Sequence, residues 1–146
     1  MTHRRISAGI GCVALLALSG CYQVPQSTAA SYEDGQIAAS SQPAGSSVTV
    51  ATVGMPSTGW VVIHEMRGGK PVLPASIGNV YVPAGPSQNV VVPVTVALKP
   101  GDQVMAMLHL DTGVPKVFEF GNDAIEVQDK PVIRDGKPVA VVITLR

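Results

Sequence analysis

The chain has 146 residues, with 10 basic and 10 acidic side chains, a formal net charge of zero and 46% hydrophobic residues. That length supports one domain with a modest core and not two. Balanced charge argues against attraction to nucleic acid or to an anionic membrane surface as the basis of function.

The first residues have the layout of an export signal. His3-Arg4-Arg5 is followed by an apolar run from Ile6 to Leu18, too short to span a bilayer as a stable helix. The run ends in Leu18-Ser19-Gly20-Cys21, which closely resembles the lipobox of bacterial lipoproteins. The resemblance implies cleavage between Gly20 and Cys21 and attachment of lipid to the Cys21 thiol. A thiolate is the side chain most readily alkylated, and each buried methylene of the attached chains adds about 0.8 kcal/mol of membrane affinity. Tyr22 stands where inner-membrane lipoproteins carry Asp, so the outer membrane is the expected destination in a host with two. Cys12 leaves with residues 1–20 and Cys21 carries lipid. The mature part then has neither free thiol nor disulfide, although its compartment permits one.

Residues 21–47 are rich in Ser, Ala, Gln, Gly and Pro. This composition buries too little apolar surface to offset ordering entropy, and a flexible tether is expected. Residues 48–146 differ. Valine-rich runs without long helical periodicity predict strands at Val48–Val53, Gly59–Met66, Asn79–Val82, Asn89–Leu98, Gln103–Leu110, Lys116–Phe120 and Val139–Leu145, with a short one at Ala124–Val127. Gly- and Pro-rich clusters separate them. About seven strands with such spacing predict an all-β, immunoglobulin-like β-sandwich. Within Asn89–Leu98, the residues Val90, Val92, Val94, Val96 and Leu98 share the expected core face. Pro93 lacks an amide donor and predicts an edge strand or a bulge. Within Gln103–Leu110, Val104, Ala106, Leu108 and Leu110 face the core, leaving Met105, Met107 and His109 opposite. Gly-Lys-Pro-Val occurs at Gly69–Val72 and again at Gly136–Val139. The unmatched surroundings favour one turn chemistry reached twice over an internal duplication.

Three segments, Gly59-Trp60-Val61-Val62-Ile63-His64-Glu65, Met107-Leu108-His109-Leu110-Asp111 and Asp129-Lys130-Pro131-Val132, together resemble a domain-of-unknown-function family. That family is met in secreted and surface proteins of haloarchaea and in some bacterial lipoproteins. The likeness spans most of residues 48–146 and implies an extracytoplasmic β-domain, with no activity attached.

Candidate chemistry centres on soft-metal donors. His64 and Met66 share one strand face, as do Met105, Met107 and His109 on another. Imidazole and thioether donors without thiolate suit Cu(I). The plainer reading takes precedence: methionines filling gaps between sheets and histidines bonded to backbone. The two readings part on whether His64 and His109 meet. Asp111, Asp123, Glu126 and Asp129 offer oxygen for calcium but lack EF-hand spacing, and are read as solvated loop carboxylates. Trp60 is read as a core aromatic. No nucleophile elbow, zinc-protease pair or phosphate-binding loop is present, and Glu65 points away from its neighbour His64. The expectation is a lipid-anchored envelope protein whose non-catalytic domain makes structural or protein contacts and needs no cofactor. A periplasmic Cu(I)-type carrier using His64, Met105, Met107 and His109 is the alternative.

Overall fold

The computed structural model describes residues 32–122, 124 and 128–146; the signal, the cleavage site and Cys21 lie outside them. The described residues contain no helix. Their strands are β1 (Gln36–Ala38), β2 (Ser47–Met55), β3 (Gly59–Arg67), β4 (Lys70–Pro71), β5 (Gly78–Val82), β6 (Gly85–Pro93), β7 (Gln103–Leu110), β8 (Lys130–Pro131), β9 (Ile133–Arg134), β10 (Lys137–Pro138) and β11 (Ala140–Thr144).

The strands form a β-sandwich. One sheet has the order β1-β2-β6, and the other is built on β11-β7-β3 with β5 on the far side of β3. Short β4 and β8 continue the second sheet beside the ends of β3 and β7. All of these pairings are antiparallel. Val48, Val50, Val53 and Met55 of β2 pack against Val61 and Ile63 of β3 and Val104, Ala106 and Leu108 of β7, all essentially inaccessible to solvent. Each such aliphatic side chain contributes about 1.5–3 kcal/mol by leaving water. With no disulfide in this core, packing holds the sheets together.

Both Gly-Lys-Pro sequences enter two-residue hairpins. Arg67 pairs with Lys70 across Gly68 and Gly69 (φ 57° and 76°), and Arg134 pairs with Lys137 across Asp135 and Gly136 (φ 51° and 74°). Positive φ at both central residues is the geometry whose twist matches the flanking strands. The repeat is therefore a turn used twice.

Several expected boundaries move. The strand expected at Asn89–Leu98 instead runs from Gly85 to Pro93. Pro93 has no amide to extend the ladder with β2, and β6 lies at a sheet edge. Beyond it, Val94, Thr95 and Leu98 donate to the carbonyls of Ser46, Ile77 and Gly45. Val94 is half-buried, Leu98 is buried and Val96 is exposed, so the expected single core face breaks up. Lys116–Phe120 is not a strand, and Lys116 has a φ of 63°. Residues 125–127 of the short expected strand are outside the described set. The last strand is trimmed to Ala140–Thr144.

The largest difference falls in residues 36–47, read from composition as tether. Gln36, Ile37 and Ala38 pair with Gly54, Val53 and Thr52. Gln42 then bonds both sheets: its side chain accepts from the Thr49 amide at 2.7 Å and donates to the Thr49 carbonyl at 2.9 Å. Its backbone meets the end of β11 through Thr144 and Arg146, in a parallel bridge to Leu145. Polar composition misleads here because these contacts are made by backbone and amide groups, which every sequence carries.

Candidate functional site

In the second sheet, β3 and β7 are buried on both faces over most of their length. Odd-numbered residues of β3 and even-numbered residues of β7 enter the sandwich core; the alternate set faces outward, beneath Phe118 and Phe120. On that outer face Trp60 stands opposite His109, Val62 opposite Met107, and His64 opposite Met105. His64 and His109 thus occupy opposite ends of a three-rung ladder with Met107 between, and their rings lean together to 5.9 Å between centroids.

Aromatic side chains close over them. Phe120 lies 4.5 Å from His109 and 6.3 Å from His64, while Phe118 lies 5.7 Å from His109 and 5.6 Å from Trp60. Trp60 also meets Tyr81 edge-on at 5.3 Å. Trp60 is buried as expected, but in this layer and not between the sheets. His64 and His109 are each fully buried, Met107 is buried and Met105 half-buried.

Three carboxylates hold the covering segment. Asp129, 1% exposed, accepts from the amides of Thr112 (3.1 Å) and Glu119 (3.0 Å). Glu119, also buried, accepts from Val114 at 2.8 Å, and Asp111 accepts from Lys116 at 2.9 Å. Asp129 is therefore a buried loop organiser and not a solvated carboxylate. Asp111 does the same work in part, and Asp123 and Glu126 lie outside the described residues. At Gly121, a Cβ would collide with the Pro74 ring, so the segment rests directly on the chain between β4 and β5.

The imidazoles lack the partners that burial normally demands. His64 Nδ1 lies 2.7 Å from the Ala75 carbonyl oxygen. A carbonyl only accepts, so Nδ1 carries the proton and Nε2 presents its lone pair. By distance and angle His64 Nε2 and both His109 nitrogens have no hydrogen-bond partner, as is also true of Trp60 Nε1 and Asp111 Oδ1, although the backbone of Met107 and of Val72 lies near enough to His109 and His64 to oppose in part the effect of burial on their pKa. Burial pushes both histidines below the usual imidazole range; His109, next to the charge that His64 would carry, falls to about 3. Both are neutral at physiological pH. Among the described residues no third His, Cys, Asp or Glu joins them.

The sequence placed each histidine beside methionines on its own strand and left open whether the two meet; the register of β3 and β7 puts both on one face with Met107. Sequence reasoning missed Phe118 and Phe120, which were assigned to a strand. Their spacing of two beside Gly121 signals a segment laying both rings on one surface.

Residues 35–145 match the model of a family described as a domain of unknown function, DUF7282. No curated protein and no solved structure matches the chain.

Proposed function

Given that the chain belongs to the DUF7282 family, we propose that it is a cell-envelope lipoprotein, lipidated at Cys21, whose non-catalytic β-sandwich makes protein contacts. The observation that carries this reading is the order of basic, apolar and Leu18-Ser19-Gly20-Cys21 elements at the start of the chain. Contact surface is available on the outer strands: Val91 of β6 and Val142 of β11 are 52% and 45% exposed. Edge strands offer unpaired backbone groups beside such side chains.

Cells fed an alkyne-labelled fatty acid test the anchor. The wild-type chain is expected to take the label and sediment with membranes, while Cys21→Ser loses both properties. A wild-type protein that is exported unlabelled and soluble overturns the anchor. Photo-crosslinkers placed at positions 91 and 142 are expected to capture envelope protein; their silence, beside a productive crosslinker elsewhere on the domain, would move the contact surface.

A further inference from the structure

The outer face of the second sheet holds an arrangement that the anchor and a contact surface leave unused. Buried polar atoms are satisfied in nearly all native structures, and each exception calls for an explanation, such as a water or an ion. Here the adjacent rings of His64 and His109 leave His64 Nε2 and both His109 nitrogens without a hydrogen-bond partner. A transition metal sits about 2 Å from an imidazole nitrogen, which lies about 1 Å from its ring centre, so two imidazoles sharing an ion hold their centroids about 5–6 Å apart, the wider value for a near-linear pair. The observed separation is 5.9 Å.

We propose that His64 and His109, with the Met107 thioether as third donor, form a buried site for Cu(I). Several observations select the ion. The donors are neutral, and no further His, Cys, Asp or Glu joins the pair among the described residues. A divalent ion would bring two uncompensated charges into an apolar layer; because the desolvation cost scales with the square of the charge, a monovalent ion of similar size carries about a quarter of that penalty. Thioether favours Cu(I) over zinc, and calcium and magnesium require oxygen. Phe118 and Phe120 lie against the imidazoles, and aromatic rings tolerate a neighbouring cation. The Ala75 carbonyl holds His64 in the tautomer and orientation that ligating histidines adopt, with the other ring nitrogen bonded to an outer group. Neither imidazole must lose a proton to bind, since both are already neutral. This site stands or falls independently of the lipid anchor.

The test uses the full-length chain in detergent, with Cys12→Ser and Cys21→Ser so that no thiol competes, and with Cu(I) supplied anaerobically against a chromophoric chelator. One equivalent is expected to be retained. His64→Phe and His109→Phe, which keep a ring in the layer, should each weaken retention about a hundredfold, the upper end of what loss of an outer-shell partner alone costs. Met107→Leu should weaken it by a smaller factor. Zinc should bind more weakly than Cu(I); equal or tighter zinc binding overturns the assignment of the ion. Because a variant can fail to fold, nitrogen NMR of the parent chain titrated with Ag(I), a redox-inert surrogate, supplies a second reading. One equivalent should shift His64 Nε2 and one His109 nitrogen while His64 Nδ1 keeps its proton. A folded parent that yields all its copper to the chelator, or that shifts only His3 with silver, overturns the site.

Discussion

A buried imidazole with a depressed pKa makes stability depend on acid in a definite direction. In the unfolded chain His64 and His109 take up protons near 6.5, whereas burial keeps both neutral in the fold to lower pH, His109 down to about 3. Below pH 6.5 the unfolded state therefore binds more protons, and stability falls as pH drops. It is unaffected by these groups above that value. Each histidine contributes a slope of about 1.4 kcal/mol per pH unit within its window. Urea unfolding midpoints should drop between pH 6 and 4, and His109→Phe should flatten that part of the profile. A second residue with outsized effect is Asp129. Its carboxylate accepts two backbone amides while almost fully buried, so Asp129→Ala strands both donors. The expected loss is about 2–4 kcal/mol at neutral pH, measured by the same unfolding curves.

At the scale of elements, the segment before β2 matters more than its composition suggests. Gln42 ties β2 to the end of β11, and Gln42→Ala should cost about 1–2 kcal/mol by denaturation. Valine-rich apolar runs bounded by Gly- and Pro-rich turns made β2, β3, β5 and β7 legible, and the opposed faces of β7 were read correctly because one row is uniformly aliphatic and the other carries Met and His. The segments 36–47 and 111–129 were not legible. Their order comes from long-range pairing, as in Gln36 with Gly54, or from carboxylates turned onto loop amides, and neither leaves a periodic trace. The candidate site was half legible for the same reason: strand parity put each histidine beside methionines on its own strand, but only the register between β3 and β7 made those rows one surface.

The described residues have two apolar layers sharing a sheet: the sandwich core beneath and the histidine–aromatic layer above, covered by Phe118 and Phe120. The chain has a single tryptophan, and Trp60 is 7% exposed beneath Phe118. Its fluorescence therefore reports closure of that cover. Gly121→Val would drive a side chain into Pro74, and at a φ of 77° the substitution is strained as well. The expected result is a red-shifted emission in a protein that keeps its β-sheet circular dichroism and loses about 1–3 kcal/mol of stability. Unchanged emission would place the seal elsewhere.

A strand buried on both faces faces a problem of alignment. If β3 slipped by one residue, Ile63 would exchange layers with Val62 or His64, and both layers would remain largely hydrocarbon. In most sheets the polar face penalises such an error strongly; here Trp60-Val61-Val62-Ile63-His64 has no polar face to do so. The imidazoles are the exception, since this slip pushes His64 among the valines of the sandwich, and the same slip of β7 does so to His109. They therefore act as alignment marks that tell the folding chain which side of the sheet is which. Replacing both with aliphatic residues would remove the marks even where it improved the packing.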